Sequence, residues 1–172
     1  ALAFFALGRF YDGQRNFEQA KECYKETLRF IGKNKERYAR QYYDALLGLA
    51  AMESRTGKYE AALARLAETR DVIKAYPRNF NNNDLAHILK EEAVCYNGKN
   101  DNAVAIAKLR ESVELFERGG APMLYTYVDA ATELLSLLLT DSENEAEAEA
   151  LQRRLSDICA GDTEIAKLMK LK

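Results

Sequence analysis

A pair of apolar, helix-spaced segments recurs along the chain with a period of about 42 residues, and this recurrence constrains the fold more than any single residue does. The first copy runs Phe4, Leu7-Gly8, Tyr11, then Phe17, Ala20, Tyr24 and Leu28. The second runs Leu46, Leu49-Ala50, then Gly57, Tyr59, Ala62 and Leu66, and the third Leu89, Ala93, Tyr96, then Ala105, Leu109 and Val113. Each copy reads as two helices whose apolar stripes follow three-and-four spacing. A hairpin of two such helices cannot bury its greasy face alone, so stacking one hairpin on the next removes that area from water at about 25 cal/mol per Å².

Breakers and caps divide the chain accordingly. Helices are predicted over 2–13 and 17–31, with Asp12-Gly13 opening the turn and Asn16 as cap of the second. A long third helix spans 37–56, starting as early as Lys35, and a fourth covers 58–75. Pro77 and the run Arg78 to Asn83 form a loop, because such side chains compete for their own backbone. Further hairpins are predicted at 84–97 with 101–117 and at 122–139 with 143–159, separated by Gly119-Gly120. Gly161-Asp162 then opens a short amphipathic capping helix over 162–171. No segment alternates as a strand does, so the fold class is all-α, a solenoid of about four hairpins in one domain, 1–172, with repeats at 1–34, 35–77, 82–120 and 121–160. Small residues at Gly8, Ala20, Ala50, Ala62, Ala93 and Ala105 let paired helices approach, and Tyr11, Tyr24, Tyr59 and Tyr96 fill the spaces between them. Most other tyrosines, including Tyr38, Tyr42, Tyr43, Tyr125 and Tyr127, read as packing between layers.

Composition narrows the function. A net charge of −2, from 25 basic and 27 acidic side chains, offers no general attraction to polyanions, so nucleic acid is not a direct partner. The apolar run Leu134 to Leu139 falls far short of the roughly 20 residues that cross a bilayer. With no secretory leader at the start, the chain is read as cytoplasmic, and its opening Ala1-Leu2-Ala3-Phe4 as a cut from a longer parent with other domains. Cys23, Cys95 and Cys159 are odd in number and scattered through helical patterns, which favours packing over disulfides or metal ligation. His87, the one histidine, lacks a partnered nucleophile, Asp12, Asp84 and Asp129 fit no calcium loop, and Gly119-Gly120 lacks the continuation of a phosphate loop. No catalytic, cofactor or metal set can be assembled, and the chain is read as a non-enzyme. The acidic alternation Glu143 to Glu149 reads as a solvated helix face.

The pattern resembles the tetratricopeptide repeat family. Phe4, Leu7-Gly8, Tyr11, Phe17, Ala20, Tyr24 and Thr27 match its positions almost throughout, and Leu46, Leu49-Ala50, Gly57-Lys58-Tyr59, Ala62 and Leu66 match it again. Departures are Glu53 in place of a tyrosine, Glu92 and Asn102 at two apolar positions, and a weak fourth repeat held to Leu135-Ser136, Leu139 and Ala148. The period exceeds the family's usual one, as in the extended repeats of kinesin light chains and several bacterial regulators, which implies longer helices and a deeper trough. The resemblance implies a right-handed α-α superhelix whose first helices line a concave face that holds an extended peptide or a partner helix.

Carried over residue by residue, the family's inward positions are Phe5, Arg9 and Asp12; Asp44, Leu47, Ala51, Ser54 and Arg55; His87, Lys90, Val94 and Asn97; and Glu133, Leu137 and Asp141. Arg37, Arg40 and Gln41 extend the surface along the third helix, and this mixed lining suits a partner with both apolar anchors and charge, acidic where it meets Arg9, Arg37, Arg40 and Lys90. The carboxylate clamp of chaperone-tail binders is absent, since its positions hold Phe5, Arg9, Gly48, Lys90 and Glu91. The resemblance thus implies a scaffold that binds a protein or peptide, with self-association left open. The alternative is a sensory or regulatory module of a bacterial transcriptional regulator or signalling protein that receives a peptide or small effector.

Overall fold

The structure, a computed structural model, describes residues 2–32, 34–118, 124–140 and 144–161. The described residues form eight α-helices and no strand: α1 Leu2–Gly13, α2 Phe17–Ile31, α3 Ala39–Arg55, α4 Tyr59–Ala75, α5 Asn82–Gly98, α6 Asn102–Arg118, α7 Leu124–Leu138 and α8 Glu145–Gly161, with a 3-10 turn, Pro77–Asn79, ahead of α5. Second helices of the pairs begin at Phe17, Tyr59, Asn102 and Glu145, and α3 to α6 are each 17 residues long. Each helix packs chiefly on its neighbours in sequence, as a stack of hairpins requires. The expected capping helix at 162–171, Gly119-Gly120 and Asp141 lie outside the described residues.

Three turns within hairpins repeat one hydrogen-bond pattern. Asn16 N–H donates to Tyr11 O at 2.9 Å, Lys58 N–H to Glu53 O at 2.8 Å and Asp101 N–H to Tyr96 O at 2.9 Å, each closing the six-to-one bond of a left-handed helix stop. The residue that turns left-handed is Arg15 at φ 58°, Gly57 at φ 75° and Asn100 at φ 62°. Only Gly57 holds that conformation without a Cβ penalty. The helix after each turn then starts from the carbonyls of Asn16, Lys58 and Asp101. Asn16 occupies the cap position of α2, yet its side chain donates to Gln19 Oε1 at 2.8 Å and caps no backbone N–H, which corrects its expected role.

Packing between hairpins turns on tyrosine rings set against helix backbone. Tyr24, 3% exposed, lies between α1 and α3, and a Cβ added at Gly8 or Gly48 would come within 2.8 and 2.7 Å of opposite edges of its ring. Tyr59 crosses α5 in the same way, 2.3 Å from a Cβ built on Gly98. This approach explains why position 98, the last residue of α5, is a glycine. Ala20, Ala50, Ala62, Ala93 and Ala105 are all buried, as their small size anticipated. One further repeat position carries a small hydroxyl side chain, Thr27, Thr69 and Ser112, each fully buried. Thr27 and Thr69 donate to carbonyls four residues back, Cys23 O and Arg65 O, while Ser112 reaches across to Ala86 O at 2.8 Å, so none is left unsatisfied.

Departures from the apolar pattern are answered by ion pairs. Buried Glu53 accepts from Arg65 Nε of α4 at 2.8 Å. Buried Glu92 lies 2.6 Å from Arg70 of α4 and 2.8 Å from Lys108 of α6, tying three helices together. Tyr42, Tyr43 and Tyr127 are buried as expected, whereas Tyr125 is exposed. The first helix departs from expectation as well. α1 meets its neighbours through Gly8 and Phe5, so Phe4 and Leu7 stay 36% and 44% exposed, with Phe4 stacked on Phe30 at 5.7 Å.

α3 begins at Ala39, later than predicted. Lys35 to Tyr38 form turns, Tyr38 N–H shares Asn34 O and Lys35 O, and Lys35 Nζ sits 4.4 Å over the Tyr42 ring. α5 begins earlier than predicted because Asn81 caps it: its side chain accepts from Asn83 N–H at 2.9 Å, and Asn81 N–H in turn donates to Asp84 Oδ2 at 2.8 Å.

Candidate functional site

First helices of successive pairs approach one another more closely than the second helices do along α1, α3 and α5, which puts the first helices on the inner side of the stack. Cross-helix ion pairs tie each neighbouring two. Arg55 of α3 reaches Asp12 of α1 at 3.2 Å, Arg40 of α3 reaches Asp84 of α5 at 2.5 Å, and Lys90 of α5 reaches Asp129 of α7 at 2.5 Å. Arg40 is further fixed by Asp44 at 3.4 Å and by lying over the rings of Tyr43 and Phe80, while the Tyr43 hydroxyl donates to Asp84 O at 2.7 Å.

These pairs bring together the charged residues of α1, α3 and α5 that were assigned to the inner face, apart from Arg9. Asp12, Arg55, Arg40, Asp44 and Lys90 meet there, and half-buried Gln41, Leu47, Ala51 and Val94 share the same helices with exposed Arg9 and Asn97. Others are placed differently. Arg37 precedes α3 and lies over Tyr38 at 5.5 Å, Phe5 packs on Tyr24 with ring centroids 6.2 Å apart, and Ser54 is buried with its hydroxyl on Ala51 O. His87 sets its ring edge-on to Phe116 at 5.2 Å, a packing contact. Burial and then Lys90 press the His87 imidazole below its ordinary pKa, so the neutral ring is favoured.

Asp44 and Glu133 were counted on this face from the sequence, whereas Asp84, Glu91 and Asp129 were not. Glu91, one residue from Lys90, is raised in pKa by burial first, and its surroundings join all four first helices: Lys90, Arg55, Asp129 and Asp12 act on it. Burial likewise raises Asp44, against the pull of Arg40. Lys90 is pulled down by burial, but Glu91, Glu133 and Asp129 more than reverse this and hold it above its ordinary value. The cations expected to attract an acidic partner at Arg40 and Lys90 are therefore engaged by the protein's own carboxylates. Signals for Asp84 and Asp129 were faint: Asp84 stands three residues after its capping partner Asn81, and Asp129 shows only as an acidic residue on an apolar helix.

Two cavities and one bowl flank this framework. About 190 Å³ opens between α5 and α7, lined by Val94, Asn97, Glu133 and Leu137, all of them inward positions in the sequence reading, together with Ala93, Leu109 and Ser136. About 290 Å³ lies between α6 and α8 over Val113, Leu134 and Leu151, bridged by Arg110 with Glu147 and by Arg154 with Glu117. A bowl of about 600 Å³ at the α2–α3 connection is walled by polar groups and Tyr76. Among the described residues no group of three His, Cys, Asp or Glu side chains could hold a metal ion, and no helix is long and apolar enough to cross a membrane.

Stacked hairpins with a common turn, inter-repeat tyrosine wedges and an inner face of first helices define a tetratricopeptide-like α-solenoid. Solved structures share this fold. The chain is similar to the MamA RS-1 ArsTM double mutant, at 16% identity and a TM-score of 0.61 over 92% of this chain and 76% of that one. It is also similar to the crystal structure of a Podosopora anserina putative kinesin light chain with nearly identical TPR-like repeats, at 15% identity and a TM-score of 0.69 over 92% of this chain and 74% of that one. No family profile and no curated protein matches the sequence.

Proposed function

We propose that this chain is a non-enzymatic interaction module that holds an extended peptide or a partner helix along the inner face of its first helices. The observation that carries the reading is the ladder of ion pairs Asp12–Arg55, Arg40–Asp84 and Lys90–Asp129, which fixes four helices edge to edge into one continuous polar surface. Leu47, Ala51 and Val94 stand half-buried along it and offer apolar anchor points between the charges. A pre-built surface of this kind binds without the cost of ordering itself. His87 serves packing, and the raised pKa values of Asp44 and Glu91 follow from burial in the same framework, so neither needs a catalytic explanation. An extended partner suits the site better than a small effector does. Among the described residues the two lined cavities fall below the roughly 300–1,000 Å³ usual for small-molecule sites, and the walls of the larger bowl are mostly polar.

Peptides selected by display against the folded chain provide the test. Ala51→Arg and Leu47→Glu, which crowd the inner face, should abolish binding of the selected peptides, while Glu149→Arg on the opposite side should leave it intact. Selected peptides that keep their affinity in both inner-face variants would place the working surface elsewhere.

A further inference from the structure

We infer that the seam between α5 and α7 is a pocket for a basic side chain, lysine or arginine, of the segment bound on the inner face. The inference rests on the inner-face reading and adds the chemistry of the partner. Its starting observation is the cavity of about 190 Å³ at this seam, where α5 and α7 approach less closely than α3 and α5 do. The walls are of two kinds. Val94, Leu109 and Leu137 present apolar surface, while Asn97, Ser136 and Glu133 supply oxygen acceptors beside it. A lysine or arginine fits that combination because its methylene stem buries against aliphatic walls while its head seeks acceptors and charge.

Charge selects against the other occupants. One ammonium, Lys90, stands among three carboxylates, with Asp129 at 2.5 Å and Glu91 and Glu133 each at 3.9 Å. The next cation along the face, Arg55, lies with Asp12. An acidic side chain entering the seam would meet Glu133, which already shares Lys90 with Glu91 and Asp129, and like charges oppose binding. A purely apolar side chain would cover the aliphatic wall but leave the surplus negative charge desolvated without compensation. A cation does both.

The test uses the whole chain, 15N-labelled, and three synthetic peptides of equal length in which leucine alternates with lysine, with glutamate or with serine. The lysine peptide should produce saturable shifts at the amides of Val94, Asn97, Ser136 and Leu137, and its affinity should fall with salt. Glu133→Gln should weaken that affinity by roughly tenfold, the usual scale for loss of a charge-assisted partner. Val94→Phe, which fills the cavity without altering charge, should weaken it too, with circular dichroism confirming that both variants are folded. Stronger binding of the glutamate peptide at the same amides would overturn the basic preference and leave the inner-face reading standing. Equal binding of all three, or lysine-peptide affinity unchanged in both variants, would overturn the pocket alone. Shifts confined to α6 and α8, or no shifts at all, would overturn both.

Discussion

Gly48→Ala is the sharpest test of how the hairpins are held together. A Cβ at this position would stand 2.7 Å from Tyr24 Cε2 and 2.9 Å from Cζ, where ordinary contact begins near 3.4 Å. The ring has to retreat by most of an ångström, and the far side is closed. Gly8 of α1 lies against the opposite edge, with its own Cβ direction 2.8 Å from Cε1. Overpacking of a closed site costs about 1–3 kcal/mol. Against this, alanine gains up to about 1 kcal/mol over glycine inside a helix. The balance is a loss of about 1–2 kcal/mol, which for a chain of this size lowers Tm by roughly 2–8 °C. Thermal and urea unfolding measure it, with Gly13→Ala as control, since nothing lies within 4 Å of a Cβ there and the change should be neutral or stabilising. Tyr24→Leu combined with Gly48→Ala should be less harmful than the two separate losses added together, because the smaller side chain vacates the space the new methyl needs. A Gly48→Ala protein as stable as the parent, or additive losses in the double variant, would refute the wedge.

Gly57→Ala should cost about 1–2 kcal/mol in the same unfolding assays through its left-handed φ alone, because the space around it is open, while Arg15→Gly at the equivalent turn should not destabilise. Glu92→Ala leaves half-buried Arg70 and Lys108 without their shared carboxylate and should lose roughly 3 kcal/mol, seen as a lower urea midpoint. Glu91→Gln should raise Tm at neutral pH, because burial makes the charged carboxylate unfavourable in the folded state. Since the native pKa lies above the unfolded one, the parent gains stability as pH falls through that window and the gap between the two proteins closes; a gap that widens on acidification contradicts this assignment. His87 acts oppositely: its native pKa is depressed, so its contribution is present above the unfolded pKa near 6.5 and lost as pH falls from there through the native value, a slope that His87→Gln should remove.

What was legible in the sequence, and what was not, follows from the range of the interactions involved. Periodicity and turn residues are set by contacts within one hairpin, and they placed α1 and α2 at their observed limits. The late start of α3 escaped because Lys35 to Tyr38 turn ahead of it, with Lys35 held over the Tyr42 ring, and the early start of α5 because it is set by the Asn81–Asp84 cap. Glu53 and Glu92 looked like defects in an apolar pattern because their cations, Arg65, Arg70 and Lys108, stand on other helices. The same limit governed the candidate site. Inward positions can be counted off one helix at a time, and they found Asp12, Arg40, Arg55 and Lys90; the sign of the surface depends on which acids face those cations from the neighbouring helix. With Asp84, Glu91, Asp129 and Glu133 in place, Arg40 and Lys90, which in a mixed lining suggest an acidic partner, serve the protein's own architecture, and the charge that the proposed occupant of the α5–α7 seam has to answer is negative.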